Sequence, residues 1–370
     1  MNAASAADHD DLARRVYGLM GVPVDAIDFP TLLRTMIEAA DASWPFLIST
    51  PNVNFLVKSQ SNAAFRESIL ASDLCLIDGM PLIWIAKLLR IPILERLAGS
   101  DLFGRLKSRR DTGRRLRVFL FGGNGDLVER VGAKLNWANG GMECVGALNP
   151  GFGTVEEMSS PQIIGAINAS QADLLAVFLG AEKAQSWLIH NHASLSPPLR
   201  AQFGATINFE AGTVRRAPPL LRSTGFEWLW RIKEEPYLWR RYLSDGVTLL
   251  RLLVTSVLPG VARLRRQGGS LSVLVEENLS SVTLRFAGAA TEANAGTAVK
   301  QFRVALEADK DLKVDLAAAD IIDPRFFGLF LMVRKTILRR GRTLQFVGVS
   351  RRLRRLFRLN RFEYLLPADI

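Results

Sequence analysis

The chain has 370 residues and a mass of 40.9 kDa, with 48% hydrophobic and 22% charged side chains. That length is more than one ordinary domain needs and enough for two cores, and the apolar share excludes a disordered chain. Two cysteines, Cys75 and Cys144, and three histidines, His9, His190 and His192, exclude a disulfide-stapled secreted scaffold and a clustered zinc motif. A reducing, cytoplasmic setting is expected.

Lys and Arg number 47 against 36 Asp and Glu, a formal net charge of +11, and the surplus is unevenly placed. Residues 1–79 carry five basic and ten acidic side chains, residues 215–266 eleven basic and four acidic. A basic chain points to a polyanion, and nucleic acid, an anionic membrane surface and diphosphate compounds all qualify. No reader motif supports nucleic acid, so no nucleic-acid partner is expected.

The first fifteen residues are Ala-rich and acidic and lack the apolar run of a signal peptide. Residues 46–49, 74–77, 118–121, 142–145 and 174–179 read as buried strands. Helical patterns at 54–70, 81–90 and 127–138 lie between them. Such alternation predicts an α/β fold, a Rossmann-like, mostly parallel sheet covered by helices, with ligands at the carboxyl ends of its strands. His190 and His192, near a helix end, read as surface residues. No run of about 18 uncharged apolar residues occurs, so no spanning helix is predicted. The nearest candidate, residues 247–258, is interrupted by Arg251 and reads either as a core helix or as a helix in a membrane interface.

A basic run meets a Gly-Gly-Ser linker at residues 263–272, and the pattern then changes. Paired strands at 271–276 and 281–286 precede a helix at 294–308, a strand at 313–315 and a helix at 326–340. A strand at 343–347 and a helix over Arg351–Leu359 follow. The expected division is therefore a domain at 1–245, an apolar and basic segment with linker at 246–270, and a smaller α/β domain at 271–370.

Several strand ends carry groups suited to chemistry. Thr50 and Asn52 follow the first buried strand and precede a helix, where they could line a phosphate or sugar site or simply cap the helix. Asp78 directly follows the next strand, beside Gly79, and could act as a general base or as a cap. Gly122 and Gly123 begin a glycine-rich turn, neither a complete dinucleotide fingerprint nor a P-loop, whose bare backbone either lets a phosphate or nucleotide approach or simply makes a tight strand-to-helix turn; no cofactor is expected. The stretch 210–242 is dense in Arg and Trp, either an appendage that closes over a diphosphate or a solvated basic face. Asp-x-Asp occurs only at 8–10 and 309–311, away from these strand ends, so no metal is expected.

Taken in order, Thr50-Pro51-Asn52, Asp78-Gly79, residues 96–101 (Arg-Leu-Ala-Gly-Ser-Asp), 119–123, 211–218, and Glu227-Trp228 with Arg231, Glu235-Pro236 and Arg240-Arg241-Tyr242 resemble the WecG/TagA/CpsF family of bacterial glycosyltransferases. The resemblance implies inverting transfer of an N-acetylhexosamine from a UDP-sugar to a sugar on a polyprenyl diphosphate. It places the enzyme peripherally at the inner face of the cell membrane, in exopolysaccharide or cell-wall synthesis. It implies Asp78 as base, with Thr50, Asn52, Gly79, Arg96, Ser100, Asp101, Gly122, Gly123, Arg216, Arg231, Arg240 and Arg241 around the substrates. The family segment Gly-x-Pro-x-Gln-Glu-x-Trp reads here as residues 180–187, with Ala184 and Gln185 in place of the Gln-Glu pair. Gln185 is thereby implied as a donor contact. Residues 312–316, 322–329 and 341–350 resemble STAS domains. There Pro324 and Arg325 stand where a phosphorylated hydroxyl would follow Asp323, so no phospho-switch is expected. The arginines at 351, 352, 354, 355, 358 and 361 could face a membrane or a protein partner. The alternative expectation is a non-catalytic scaffold that uses the STAS-like domain for protein interaction.

Overall fold

A computed structural model describes residues 10–110, 114–262 and 269–367. Residues 263–268 of the expected linker, and Asp8 and His9, lie outside the described residues.

The first sheet has six strands, β3 (Phe46–Ser49), β4 (Leu74–Cys75), β5 (Leu116–Gly122), β6 (Met142–Leu148), β7 (Leu174–Phe178) and β8 (Leu199–Gln202). All pair in parallel, in the order β4-β3-β8-β7-β5-β6. Helices α1 (Phe29–Asp41), α2 (Val53–Ser61), α3 (Ala63–Leu70), α4 (Met80–Leu88), α5 (Gly99–Ser108), α6 (Leu127–Ala138), α7 (Pro161–Ala169), α8 (Ala181–His190) and α9 (Thr206–Ala211) surround it. Apolar cores form on both sheet faces, so the β7 residues are buried throughout. The expected helix at 54–70 is two helices. Asn62 leaves helical geometry and caps α3, its Oδ1 accepting the Phe65 N–H at 3.0 Å; Asn is among the best N-caps and a weak helix former.

Before this sheet, β1 (Val16–Leu19) and β2 (Val22–Asp25) form an antiparallel hairpin. Met20 and Gly21, both at positive φ, make its two-residue turn. Periodicity did not disclose the hairpin, since Gly18 and Pro23 are poor strand residues and methionine seldom takes a left-handed conformation.

Beyond α9, the Arg- and Trp-rich stretch folds as α10 (Pro219–Ser223), α11 (Glu227–Glu234) and α12 (Trp239–Leu252). α12 continues through a π-turn at Leu253–Val257 into α13 (Leu258–Val261). The helical run Pro236–Val261 is 26 residues long and, by length and composition, apolar enough to cross a membrane, which the twelve-residue reading of the sequence had not foreseen. One face is fixed to the protein: buried Asp245 accepts from Asn54 Nδ2 at 3.0 Å, and Val257 and Gly260 are buried. On the opposite face Leu243, Val247, Leu250, Val254 and Leu258 are all at least half exposed.

The second sheet comprises β9 (Leu271–Glu277), β10 (Ser281–Ala290), β11 (Asp311–Ile322) and β12 (Leu344–Val347), in the order β12-β11-β10-β9. β9 pairs antiparallel and the others parallel. Helices α14 (Ala295–Glu307), α15 (Pro324–Arg339) and α16 (Arg351–Leu359) complete this smaller α/β domain.

The two domains share buried structure. Helix α15 packs on the β1–β2 hairpin, and Leu12, Val16 and Leu70 belong to the core of the smaller domain. A methyl group on Gly328 would fall 2.1 Å from the Val16 carbonyl oxygen, and one on Gly18 2.5 Å from Phe327 Cβ. Arg325 donates to Val16 O at 2.7 Å, and Asp323 caps α15 through the Phe326 N–H at 3.0 Å. The position expected to lack a phospho-switch is thus sealed inside the chain, together with the face of α15 around it.

An ion network reinforces this contact. Lys335 of α15 meets Asp73 at 2.8 Å and Asp11 at 3.1 Å; Arg339 meets Asp73 at 3.0 Å and Asp11 at 3.3 Å. Arg14 bridges Asp11 and Asp25, each at 2.7 Å. Asp73 Oδ2 accepts the Leu47 N–H at 2.9 Å, and Asp25 Oδ2 the Cys75 N–H at 2.7 Å. Three carboxylates therefore face three cations, and the network reaches the backbones of β3 and β4. Burial opposes ionisation of Asp73, but Lys335, the Leu47 N–H and Arg339 outweigh it and hold the carboxyl well below the usual range.

Replacing Lys335 by Met leaves Asp11 and Asp73 short of a buried cation, and denaturant unfolding should show a loss of about 3–5 kcal/mol. Because the native-state pKa of Asp73 is depressed, its contribution is complete above the unfolded value of about 4 and lost as pH falls below it. Acid unfolding that begins below about pH 4 and is blunted in Asp73→Asn is the expected outcome.

Candidate active site

The carboxyl ends of the strands open into one cleft of about 1280 Å³, roofed by α11 and the start of α12. Of the residues singled out in the sequence, Thr50, Asn52, Asp78, Gly79, Arg96, Ser100, Gly123, Arg231 and Arg241 line it.

Thr50 follows β3 and is buried, its Oγ1 accepting from Gln202 Nε2 at 2.7 Å. Asn52 does cap a helix: its Oδ1 accepts the Phe55 N–H at 3.1 Å, while the residue also lines the cleft. The Asp78 N–H donates to the Pro51 carbonyl at 2.8 Å, so the turns after β3 and β4 are tied together. Gly79, at φ +108°, makes the sharp turn into α4 that a side chain would strain.

Asp78 is half-buried at the floor of the cleft. Burial pushes its pKa up to about 7; the negative charges of Glu227 and Asp101 add to the rise, and Arg96 and a hydrogen bond from the Gly99 backbone oppose it. A carboxyl so tuned exchanges a proton near neutrality, as a general base must.

Beside Asp78 stands a set of arginines organised by one carboxylate. Asp101 Oδ2 holds Arg96 Nη2 at 2.7 Å, and its Oδ1 holds Arg216 and, at 3.4 Å, Arg222. Arg216 also donates to Ser100 Oγ at 3.0 Å, and Arg96 lies 3.4 Å from Glu227. Asp101 and Arg216 therefore sit one layer behind the cleft lining and orient Arg96 and Ser100. Arg231 pairs with Glu235 at 2.6 Å over the Phe209 ring, and Arg241 lies over Tyr242.

Three expected contacts are placed elsewhere. Gln185 is fully buried in α8, where its amide bonds Ser68 O at 2.8 Å and Ser49 Oγ at 3.0 Å, locking α8 to β3 and α3. It does not line the cleft, and neighbouring Ala184 is in the core. Gly122 ends β5 at φ +107°, where a methyl group would meet Phe178 O at 2.9 Å; its role is to let β5 and β7 close. Arg240 stacks on Trp239, outside the cleft lining. His192, expected at the surface, is half-buried against Arg200, and burial lowers its pKa.

Gln202 and Asn208, which the sequence had not flagged, also line the cleft, as do Lys183 of the 180–187 segment and Arg222 of the Arg-rich stretch. Gln202 was hidden because β8 carries a buried arginine, Arg200, whose guanidinium bonds the carbonyls of His192, Leu195 and Pro197. The strand therefore lacks the apolar pattern of its neighbours.

A profile of the glycosyl transferase WecG/TagA/CpsF family matches residues 17–262, and one of the STAS domain described as Mlab matches residues 273–367. The chain is similar to an N-acetylglucosaminyldiphosphoundecaprenol N-acetyl-beta-D-mannosaminyltransferase of Bacillus spizizenii, 28% identical over 198 residues, or 53% of this chain and 74% of that one. A protein of the same name from Bacillus subtilis is 25% identical over 199 residues, 54% and 75% of the two chains. The chain belongs to the WecG/TagA/CpsF family of glycosyltransferases, with a STAS domain packed against its transferase fold.

Proposed function

We propose that the protein moves an N-acetylhexosamine from a UDP-sugar to a sugar carried on polyprenyl diphosphate, with inversion at the anomeric carbon. The observation that carries this reading is Asp78: a carboxyl titrating near 7 at the floor of a cleft that a cluster of arginines enters. The names of the Bacillus relatives supply the acceptor class and a mannosamine-type sugar.

In this mechanism ionised Asp78 takes the proton of the acceptor hydroxyl as its oxygen attacks the anomeric carbon. The bond from that carbon to the diphosphate breaks on the opposite side, and UDP departs with the electron pair. Arg96, Arg222, Arg231 and Arg241 meet the developing phosphate charge with guanidinium groups already held in place, which avoids reorganisation during the reaction. Thr50 and Asn52 offer a hydroxyl and an amide to sugar groups beside Asp78.

The apolar stripe of α12 and α13 begins inside the cleft, since Leu243, Val247 and Leu250 line it, and runs out along the surface to Leu258. Such a face suits a helix lying in the membrane interface, the place where a polyprenyl-linked acceptor is met. Peripheral attachment at the cytoplasmic face is accordingly part of the proposal.

Asp78→Asn should lower transfer to a lipid-linked acceptor by about 10²–10⁴-fold while leaving the unfolding midpoint in place; full turnover in this variant overturns the assignment. In the native enzyme the rate should rise with pH through about 7, as Asp78 loses its proton, and the Asn variant should lose that limb. Gln185→Leu should leave the KM for donor unchanged yet cost about 1–3 kcal/mol of stability, because Ser49 and Ser68 lose a buried partner.

A further inference from the structure

With α15 sealed against the hairpin, the exposed part of the STAS domain that carries strong chemistry is α16. Leu353, Leu356, Phe357 and Leu359 are buried, whereas Arg351, Arg352, Arg355 and Arg358 are exposed. None of these four guanidinium groups has an acidic partner among the described residues. At 100° per residue Arg351, Arg355 and Arg358 fall within one narrow sector, with Arg352 on its flank. Arg361, just beyond the helix, is engaged by Gln60 at 2.8 Å and is not part of this set.

The placement of α16 gives this face a partner. The helix packs against the π-turn and α13, and Leu356 and Asn360 share a small cavity with Gly260 of α13 and Leu89 at the end of α4. A basic helix from one domain therefore braces the end of the apolar helix from the other. From its start at the cleft the stripe runs along the surface to Leu258, with Val254 and Leu258 at least half exposed and exposed Arg251 at its flank. Near it, Trp84 and Leu88 of α4 are 44% exposed. Apolar side chains flanked by unpaired cations match the two layers of an anionic bilayer surface, acyl boundary and phosphate headgroups. Nucleic acid is the poorer match, because the one aromatic residue of α16, Phe357, is buried and offers no stacking platform.

We infer that the STAS domain is a lipid-docking element, in which Arg351, Arg352, Arg355 and Arg358 bind anionic headgroups beside the apolar helix that leads to the cleft. This rests on the interfacial reading of α12 and α13 but not on the identity of either sugar. One apolar face alone gives attachment indifferent to lipid charge; the arginines add selectivity for anionic lipid and a contact far from the cleft that limits rotation of the enzyme on the surface.

The test is flotation of the full-length protein with pure phosphatidylcholine vesicles and with phosphatidylcholine–phosphatidylglycerol vesicles. The native protein should prefer the anionic vesicles, with a preference that weakens as salt is raised. The variant in which Arg351, Arg352, Arg355 and Arg358 are all exchanged for Gln should bind anionic vesicles at least about tenfold more weakly. It should bind neutral vesicles as before, unfold at the native midpoint and turn over a short-chain acceptor in detergent. Anionic preference that survives the exchange overturns the inference and leaves the interfacial helix untouched. A native protein that binds neither vesicle overturns both, as does one that ignores vesicles but binds duplex DNA in a salt-sensitive way.

Discussion

The structure depends on a buried exchange of charge between its two halves. Asp11, Asp25 and Asp73 belong to the transferase, Lys335 and Arg339 to the STAS domain, and Arg14 ties Asp11 to Asp25 on the transferase side. All but Arg339 are buried, so removing Lys335 or Arg14 leaves carboxylates short of a cation away from water. The carboxylates also accept backbone N–H groups of Leu47 and Cys75, which places the register of β3 and β4 under the same constraint. Those two strands end in the turns that carry Thr50, Asn52 and Asp78. A domain some 250 residues away in sequence thereby contributes to the geometry of the candidate site without entering it.

At the site itself the governing quantity is the balance of fields on Asp78. Burial and two neighbouring carboxylates raise its proton affinity, and Arg96 lowers it. Arg96 is oriented by Asp101, which also gathers Arg216 and Arg222. Asp101, in the first turn of α5, thus acts as an organiser of cations. Without it, the arginines drawn in from α10 and the segment before it would repel one another, and the cleft would lose its positive wall.

Much of this was legible in the chain. Strands buried on both faces announced themselves as apolar runs, and the turn chemistry of Asp78-Gly79-Met80-Pro81 placed a carboxyl at a strand end. In the second domain each main helix and strand was read in its order, although β11 was read as 313–315 and runs over Asp311–Ile322, because its alternation breaks at the Ala-Ala-Ala run after Leu316. What stayed hidden were polar residues satisfied inside the protein and a turn of unusual composition. Arg200 makes β8 look unlike a strand, and Met20-Gly21 makes a hairpin without the usual turn residues. Gln185, which the resemblance implied as a donor contact, serves as a brace between α8 and β3. Patterns of residue type cannot distinguish a polar group that meets a ligand from one that meets another part of the core.

The same limit explains the domain contact. In sequence, the Gly-Gly-Ser run and the change of pattern around residue 270 suggest modules on a tether. In the fold, Gly18 and Gly328 permit backbone approach too close for any side chain, and Arg325 spends its guanidinium on carbonyls of the hairpin. These features exist only for intimate packing, and they consume the face of α15 that a free STAS domain would offer to another protein. A tethered recruiter needs that face open, whereas a domain that steadies β3 and β4 and turns a basic helix outward beside the apolar one needs it closed. The burial of Arg325 and Lys335 therefore argues for the STAS domain as part of the enzyme's body rather than as its adaptor.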